Sequence, residues 1–389
     1  MNERRSSMKQ ELLAEMERVL AFWKENAITP EGEFLTLGCD NRPLEDGRKS
    51  AVLMSRMVWA YSAAFNLTGK QDYLRTAGQA FEYLLTHFAD KTYGGVYECL
   101  DRDGKPSDRR KVIYTQSYAV YAASEYARAS GKTEAREFSR AVFNKIEVYA
   151  FDSLLGGYRA ELTEKWRAPA EPQDFLMDTH LHLMEAYTAF SRVWKEIRLK
   201  RRLEAVVRIL LDRFLRENGA LYQSLGPDWS ETEDLSDRFG DESECTWMME
   251  EAAAQVGKPS LLAEVREAQM RMMRNLCSRG YDGEHGGVYD RLNSDGSMSA
   301  VKLWWEESEA VTALLYVYRL TGEPEYFGKA AQTWDFIRAH FIDPESEWRW
   351  ETEADGTPVP VTDPSDPLKC PYHTTRITYL SVPVLETVS

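Results

Sequence analysis

The chain repeats itself about every 60 residues, and this periodicity limits the possible folds more than any other feature. Six segments read as a short aromatic strand followed by a turn or polar loop: Glu33-Phe34-Leu35-Thr36-Leu37, Val96-Tyr97-Glu98-Cys99-Leu100, Tyr158-Arg159-Ala160-Glu161-Leu162, Leu221-Tyr222-Gln223-Ser224-Leu225, Val288-Tyr289-Asp290-Arg291-Leu292 and Trp348-Arg349-Trp350. Four of them run into Asp-Gly (Gly47, Gly104, Gly296 and Gly356), a hairpin signal. The interval between anchors holds two helices. The first of each pair begins near Lys49, Lys111, Asp174, Asp237, Lys302 and Lys369. Four of these helices run to a stopping glycine, Gly69, Gly131, Gly257 or Gly322, the residue expected just past a helix end.

Counting back thirteen residues from those glycines aligns Arg56, Tyr118, Glu244 and Glu309. Matching Ala60-Tyr61 to Ala186-Tyr187 adds His182, and the sixth repeat contributes Arg376. One turn earlier on the same face lie Asp241, Trp305 and His373; one turn later lie Trp59 and Trp247. A soluble helix normally turns an apolar stripe inward, whereas this repeated column is polar and aromatic. Six helix pairs in a ring would focus it into one cavity. The expectation is an all-α fold, an (α/α)6 barrel with short β-hairpins at the cavity rim. No helix pair buries its own face, so residues 1–389 form a single catalytic domain despite a length that would otherwise suggest two or three. An open solenoid of helical hairpins is the alternative.

Composition narrows the function. Lys and Arg number 48 against 63 Asp and Glu, a net charge of −15, which argues against nucleic acid and anionic membranes because both need a basic footprint. No apolar run is long enough to span a membrane and the N-terminal stretch lacks a cleavable apolar region, so a cytoplasmic protein is expected. Five scattered cysteines without a C-x-x-C make a disulfide scaffold or a Cys-rich zinc site a poor fit. There is no phosphate loop, G-x-G-x-x-G, H-E-x-x-H or nucleophile elbow, so neither a nucleotide cofactor nor a bound metal is expected. Aromatic residues reach 12 %, with 11 Trp and 20 Tyr, and such rings with polar tips suit sugars.

Among the candidates, His373 follows Pro371 near a helix start, and imidazole titrates where protons move at neutral pH. His182 falls in the polar column, whereas His180 points to another face and reads as structural. Glu244 and Glu309 come from neighbouring repeats; paired carboxylates act as acid and base or tune a histidine. Asp241-x-x-Glu244 also has the spacing of a capping box. Arg56, inside the apolar run Val52 to Trp59, needs acceptors, and a ligand oxyanion is one candidate. Tyr114, Trp247, Trp305 and Arg376 complete the binding candidates.

At these residues the sequence resembles the N-acylglucosamine 2-epimerase superfamily, and within it the cellobiose 2-epimerases. The resemblance rests on Val52–Trp59, Gly94-Gly95-Val96-Tyr97, Thr179-His180-Leu181-His182, Trp304-Trp305-Glu306-Glu307-Ser308-Glu309-Ala310 and Pro371-Tyr372-His373-Thr374-Thr375-Arg376. It implies cofactor-free proton transfer at C2 of a reducing-end glucose or mannose unit, with a small sugar such as a disaccharide as partner; the sequence leaves the oligomeric state open between monomer and homodimer. It also implies that Arg56, His182, Glu244, Trp247, Trp305, Glu309 and His373 line the sugar site. The family's fourth-repeat motif Gly-His-x-x-Glu-x-x-Trp reads Gly240-Asp241-Glu242-Ser243-Glu244-Cys245-Thr246-Trp247, so Asp241 replaces a second catalytic histidine. Either Asp241 serves as the second catalytic group in a slow two-base cycle, or His373 alone moves the proton between C2 and C1 and gives aldose–ketose isomerisation; weak epimerisation at best is expected. Two other readings stay open: a barrel glycoside hydrolase using Asp241, Glu244 and Glu309, or a sugar-binding homologue with weakened catalysis.

Overall fold

The computed structural model describes residues 1–363 and 369–387. In chain order the helices are α1 (Asn2–Ala27), α2 (Ala51–Thr68), α3 (Gln71–Tyr83), α4 (Ile113–Ser130), α5 (Thr133–Lys145), α6 (Met177–Val193), α7 (Ile197–Ile209), α8 (Phe239–Val256), α9 (Pro259–Asn275), α10 (Trp304–Thr321), α11 (Pro324–Phe336) and α12 (Pro371–Thr387).

The even-numbered helices form the inner ring. Each packs on the next, α2 on α4 and so on to α10 on α12, and α12 packs back on α2. The ring is closed, which excludes the open solenoid. The odd-numbered helices form an outer layer, each against an inner partner; α1 packs on α12, so the first helix seals the last repeat. Sequence explains the two layers. In α2 every residue from Ala51 to Ala64 is buried, and only Arg56 among them is charged. In α3 burial is confined to Thr76, Ala77, Ala80, Phe81 and Tyr83, one stripe of an otherwise polar helix. Helices α2, α4, α8 and α10 stop at Gly69, Gly131, Gly257 and Gly322, all left-handed, while α6 ends without a glycine at Trp194.

At the rim the expected local hairpins form around Asp103-Gly104, with Cys99–Leu100 against Pro106–Asp108, and around Asp295-Gly296, with Arg291–Leu292 against Met298–Ser299; a second set of pairings lies outside that expectation. A two-residue strand leads into each of five inner helices and pairs antiparallel with the next unit: Lys49–Ser50 with Cys99–Leu100, Lys111–Val112 with Glu161–Leu162, Phe175–Leu176 with Ser224–Leu225, Asp237–Arg238 with Arg291–Leu292, and Lys302–Leu303 with Glu351–Thr352. These strands tie neighbouring repeats together where the helices open. Beneath them lie buried ion pairs at corresponding positions: Lys111 with Asp90 and Lys302 with Asp282, both at 2.8 Å. In the fourth repeat the signs are exchanged, Asp237 facing Arg216 at 2.8 Å. Among the described residues no helix is long and apolar enough to cross a membrane.

Candidate active site

Arg56, Tyr118, His182, Glu244, Glu309 and Arg376 are each the sixth residue of their inner helix, and all six are buried. Because every inner helix starts at the same end of the barrel, this layer lies one turn below the rim. Above it is a cavity of about 240 Å³ lined by Arg56, Tyr114, Asp178, His182, Asp241, Glu244, Trp304, Trp305, Trp350 and His373. Trp247, Glu309 and Arg376, also expected in the sugar site, lie under its floor. Trp247 does not form a platform for a ligand in this cavity; its indole N–H donates to Glu309 Oε2 at 2.9 Å, and its ring borders a small void on the far side.

Arg376 organises that floor. It is fully buried and donates to Glu309 Oε1 (3.1 Å from Nε, 2.7 Å from Nη2), to Glu185 Oε1 (2.8 Å) and to Glu244. Three carboxylates from α6, α8 and α10 thus meet one guanidinium from α12, whose planar fork suits such a junction. Glu244, Glu309 and His373 bring ligand atoms within 4.8 Å of one another. Arg376 already supplies their counter-charge, so the cluster is built around a guanidinium rather than a metal cation.

Two histidines stand on this floor. His373 Nδ1 lies 2.9 Å from Glu309 Oε1, and His182 Nδ1 lies 3.0 Å from Glu185 Oε2. A carboxylate only accepts, so a proton on Nδ1 satisfies each of these contacts and leaves the Nε2 lone pair for the cavity; at His373 the Glu309 contact is shorter than the 3.2 Å approach of Arg376 Nη2 to the same Nδ1. Neither Nε2 has a hydrogen-bond partner among the described residues. Burial, reinforced by Arg376 and Arg56, holds the His373 pKa well below the ordinary imidazole value, so the ring is neutral and able to accept a proton. Burial would raise the Glu185 carboxyl, but His182, Arg376 and the Tyr372 hydroxyl bring it down to about 2. Burial pushes the Glu309 carboxyl up, and Arg376 and Trp247 restrain it.

Arg56 is held by hydroxyls: its guanidinium donates to Tyr114 (3.1 Å) and Tyr118 (2.8 Å) and lies over the rings of Tyr118 and Tyr372. Arg56 also approaches the Cys370 Sγ at 4.0 Å, and it forms part of the cavity wall.

Asp241 does not cap its helix. The strand Asp237–Arg238 runs directly into α8, Arg238 takes the N-cap position without a side-chain bond, and Asp241 is the third helical residue. The capping-box reading therefore fails, because the chain enters the helix from a paired strand rather than from a free turn. Burial, then the neighbouring Asp178 and Glu244 charges, raises the Asp241 pKa well above the ordinary carboxylate value. His180 is structural, as expected: Nδ1 bonds the Leu176 carbonyl at 2.7 Å, Nε2 accepts from the Tyr158 N–H at 3.1 Å, and burial lowers its pKa to about 4.

Sequence reasoning missed Asp178, Trp304 and Trp350 in the cavity wall, and Glu185 and Tyr372 beneath it. Asp178 had a signal, being the second residue of α6 as Tyr114 and Trp305 are of α4 and α10. Glu185 had a weaker one, its i,i+3 spacing from His182.

The sequence profile of the N-acylglucosamine 2-epimerase (GlcNAc 2-epimerase) family matches residues 32–376. The chain belongs to this family. It is therefore an enzyme of the carbohydrate epimerase class. A cellobiose 2-epimerase from Bacteroides fragilis is 32% identical over 383 residues, covering 95% of this chain and 97% of that protein. The solved cellobiose 2-epimerase of Bacillus thermoamylovorans superposes with a TM-score of 0.91 at 26% identity, covering 97% of this chain and 99% of that one. A GH76 α-mannanase from Bacteroides thetaiotaomicron, at 10% identity and a TM-score of 0.66 over 98% and 95% of the two chains, shares the barrel fold alone.

Proposed function

We propose that this epimerase-family protein moves the C2 proton of an open-chain reducing-end glucose or mannose unit through an enediolate, giving the C2 epimer or the corresponding ketose. The observation that carries this reading is the neutral His373 imidazole. Its Nδ1 is pinned by Glu309 and its Nε2 is turned to a cavity that also presents Arg56. A C2 proton is only weakly acidic, so its removal needs a positioned base and a charge waiting for the developing oxygen. His373 is the base, and Arg56, with the hydroxyl of Tyr114, receives the O1/O2 oxyanion. Glu244 and Asp241 bind sugar hydroxyls.

The cavity of about 240 Å³ is smaller than the roughly 300–1,000 Å³ of sites that enclose drug-sized ligands, which suits one sugar ring inside. The second ring of a disaccharide such as cellobiose would lie at the mouth against Trp305 and Trp350. A hydrolase needs an acid and a base on either side of a glycosidic bond. Glu244 and Glu309 instead accept from the same nitrogen of Arg376, which counts against that alternative.

The test is deuterium exchange at C2, followed by NMR, across cellobiose, mannobiose, glucose, mannose and N-acetylglucosamine. Exchange with an intact epimer or ketose as product is expected, together with its loss in His373→Asn for the C2 epimer that His373 deprotonates. Full exchange of both epimers in that variant would refute the base assignment. Release of monosaccharide would favour hydrolysis, and binding without exchange would favour a sugar-binding homologue.

A further inference from the structure

Epimerisation needs a proton donor on the face opposite the one from which the proton leaves. By the sequence resemblance Asp241 stands where the family has a second histidine, and the cavity contains another imidazole, His182. We propose that the His182–Glu185 pair is the second acid/base of this enzyme, opposite His373–Glu309; the assignment rests on the proton-transfer reading above.

The two pairs have the same construction. Each imidazole lines the cavity, each has Nδ1 on a buried carboxylate at 2.9 or 3.0 Å, and each has Nε2 without a protein partner among the described residues. Their placement is complementary. Helices α6 and α12 are three positions apart in the closed ring of six, hence on opposite walls. One guanidinium braces both pairs, Arg376 reaching Glu309 at 2.7 Å and Glu185 at 2.8 Å, while Tyr372 adds a second tie to Glu185 at 2.6 Å. His182 also packs against Tyr114 and Tyr118, ring centroids 4.8 and 4.9 Å apart, the tyrosines that hold Arg56. The donor therefore stands beside the group that receives the oxyanion.

The proton balance is simple. Neutral His373 takes the C2 proton and the C–H electron pair moves into the enediolate, whose charge rests on O1 against Arg56. Protonated His182 then delivers its Nε2 proton to C2 from the other wall and the C1 carbonyl re-forms. The turnover leaves His373 protonated and His182 neutral, and exchange with solvent resets both. The reverse reaction uses the residues in exchanged roles.

A two-base site predicts an asymmetry that a binding role cannot mimic. Each epimer of one sugar is incubated separately in deuterated water with the full-length enzyme. His182→Asn is expected to slow epimer interconversion by about 10²–10⁴-fold. One epimer should still exchange its C2 proton within a few-fold of wild type, which also shows that the variant is folded. His373→Asn should give the mirror pattern, retaining exchange only for the other epimer. Glu185→Gln should impair the same epimer as His182→Asn, less severely, because the imidazole loses the carboxylate that orients its Nδ1. Equal loss for both epimers in His182→Asn, or interconversion at the wild-type rate, would overturn the assignment while leaving His373 as a base. A wild type that exchanged no C2 proton would overturn this assignment and the proposed function together.

Discussion

Replacing Arg376 by Met tests the floor of the site. The side chain is fully buried and is the shared counter-charge of Glu185, Glu244 and Glu309. Removing one partner of a buried pair costs about 3–5 kcal/mol, because the remaining charge is stranded. Here one partner serves three carboxylates, so a loss of at least about 4 kcal/mol is expected at pH 7. The stranded group can relieve the cost by taking up a proton, and that fixes the pH dependence. Its folded-state pKa then lies above the unfolded value near 4.3, so the native state is favoured below that value and loses ground as pH rises. One retained proton makes the penalty grow by ~1.4 kcal/mol per pH unit, or about 3 kcal/mol between pH 5 and 7. Urea unfolding of wild type and Arg376→Met at both pH values measures this directly. Arg376→Lys restores the charge without the fork and should recover only part of the loss. A penalty below about 1 kcal/mol, or the same at pH 5 and 7, would show that Arg376 does not neutralise the carboxylates as argued.

Three further outcomes follow from other buried groups. His180, whose pKa burial lowers to about 4, stabilises the fold above its unfolded pKa near 6.5; about 3 kcal/mol should be lost as pH falls from there towards 4, and His180→Gln should flatten that part of a pH series of unfolding curves. Asp241, raised by burial and by Asp178, costs stability as pH rises above the ordinary carboxylate range, so Asp241→Asn should gain stability over wild type with increasing pH in the same unfolding assay. Lys111→Met strands Asp90 and should cost about 3–5 kcal/mol, most of it recovered in the double variant with Asp90→Asn, as a double-mutant cycle would measure.

The barrel was legible because its repeats carry their own ruler. Stop glycines at Gly69, Gly131, Gly257 and Gly322 set the register, and thirteen residues back from each lies a sixth helical residue. The floor was not legible. Arg376 meets Glu185 across the full width of the ring, through a long side chain whose reach no local spacing encodes. Trp247 shares the face of the sugar-facing residues yet sits a turn too deep to reach the cavity, which periodicity alone does not distinguish. At Asp241 a local pattern misled, because the spacing of a cap also occurs inside a helix that continues from a paired strand.

The closure of the ring by α12 also has a consequence for the order of assembly. The proposed base, His373, and the guanidinium that gathers three carboxylates, Arg376, both lie on the sixth inner helix, the last part of the ring to leave the ribosome. Domains assemble from the N-terminal end during synthesis. Until that helix docks between α2 and α10, Glu185, Glu244 and Glu309 face one another without their cation, and the proposed base His373 is missing from the cavity wall. The segment that seals the ring is thus the one that completes the charge balance of its floor.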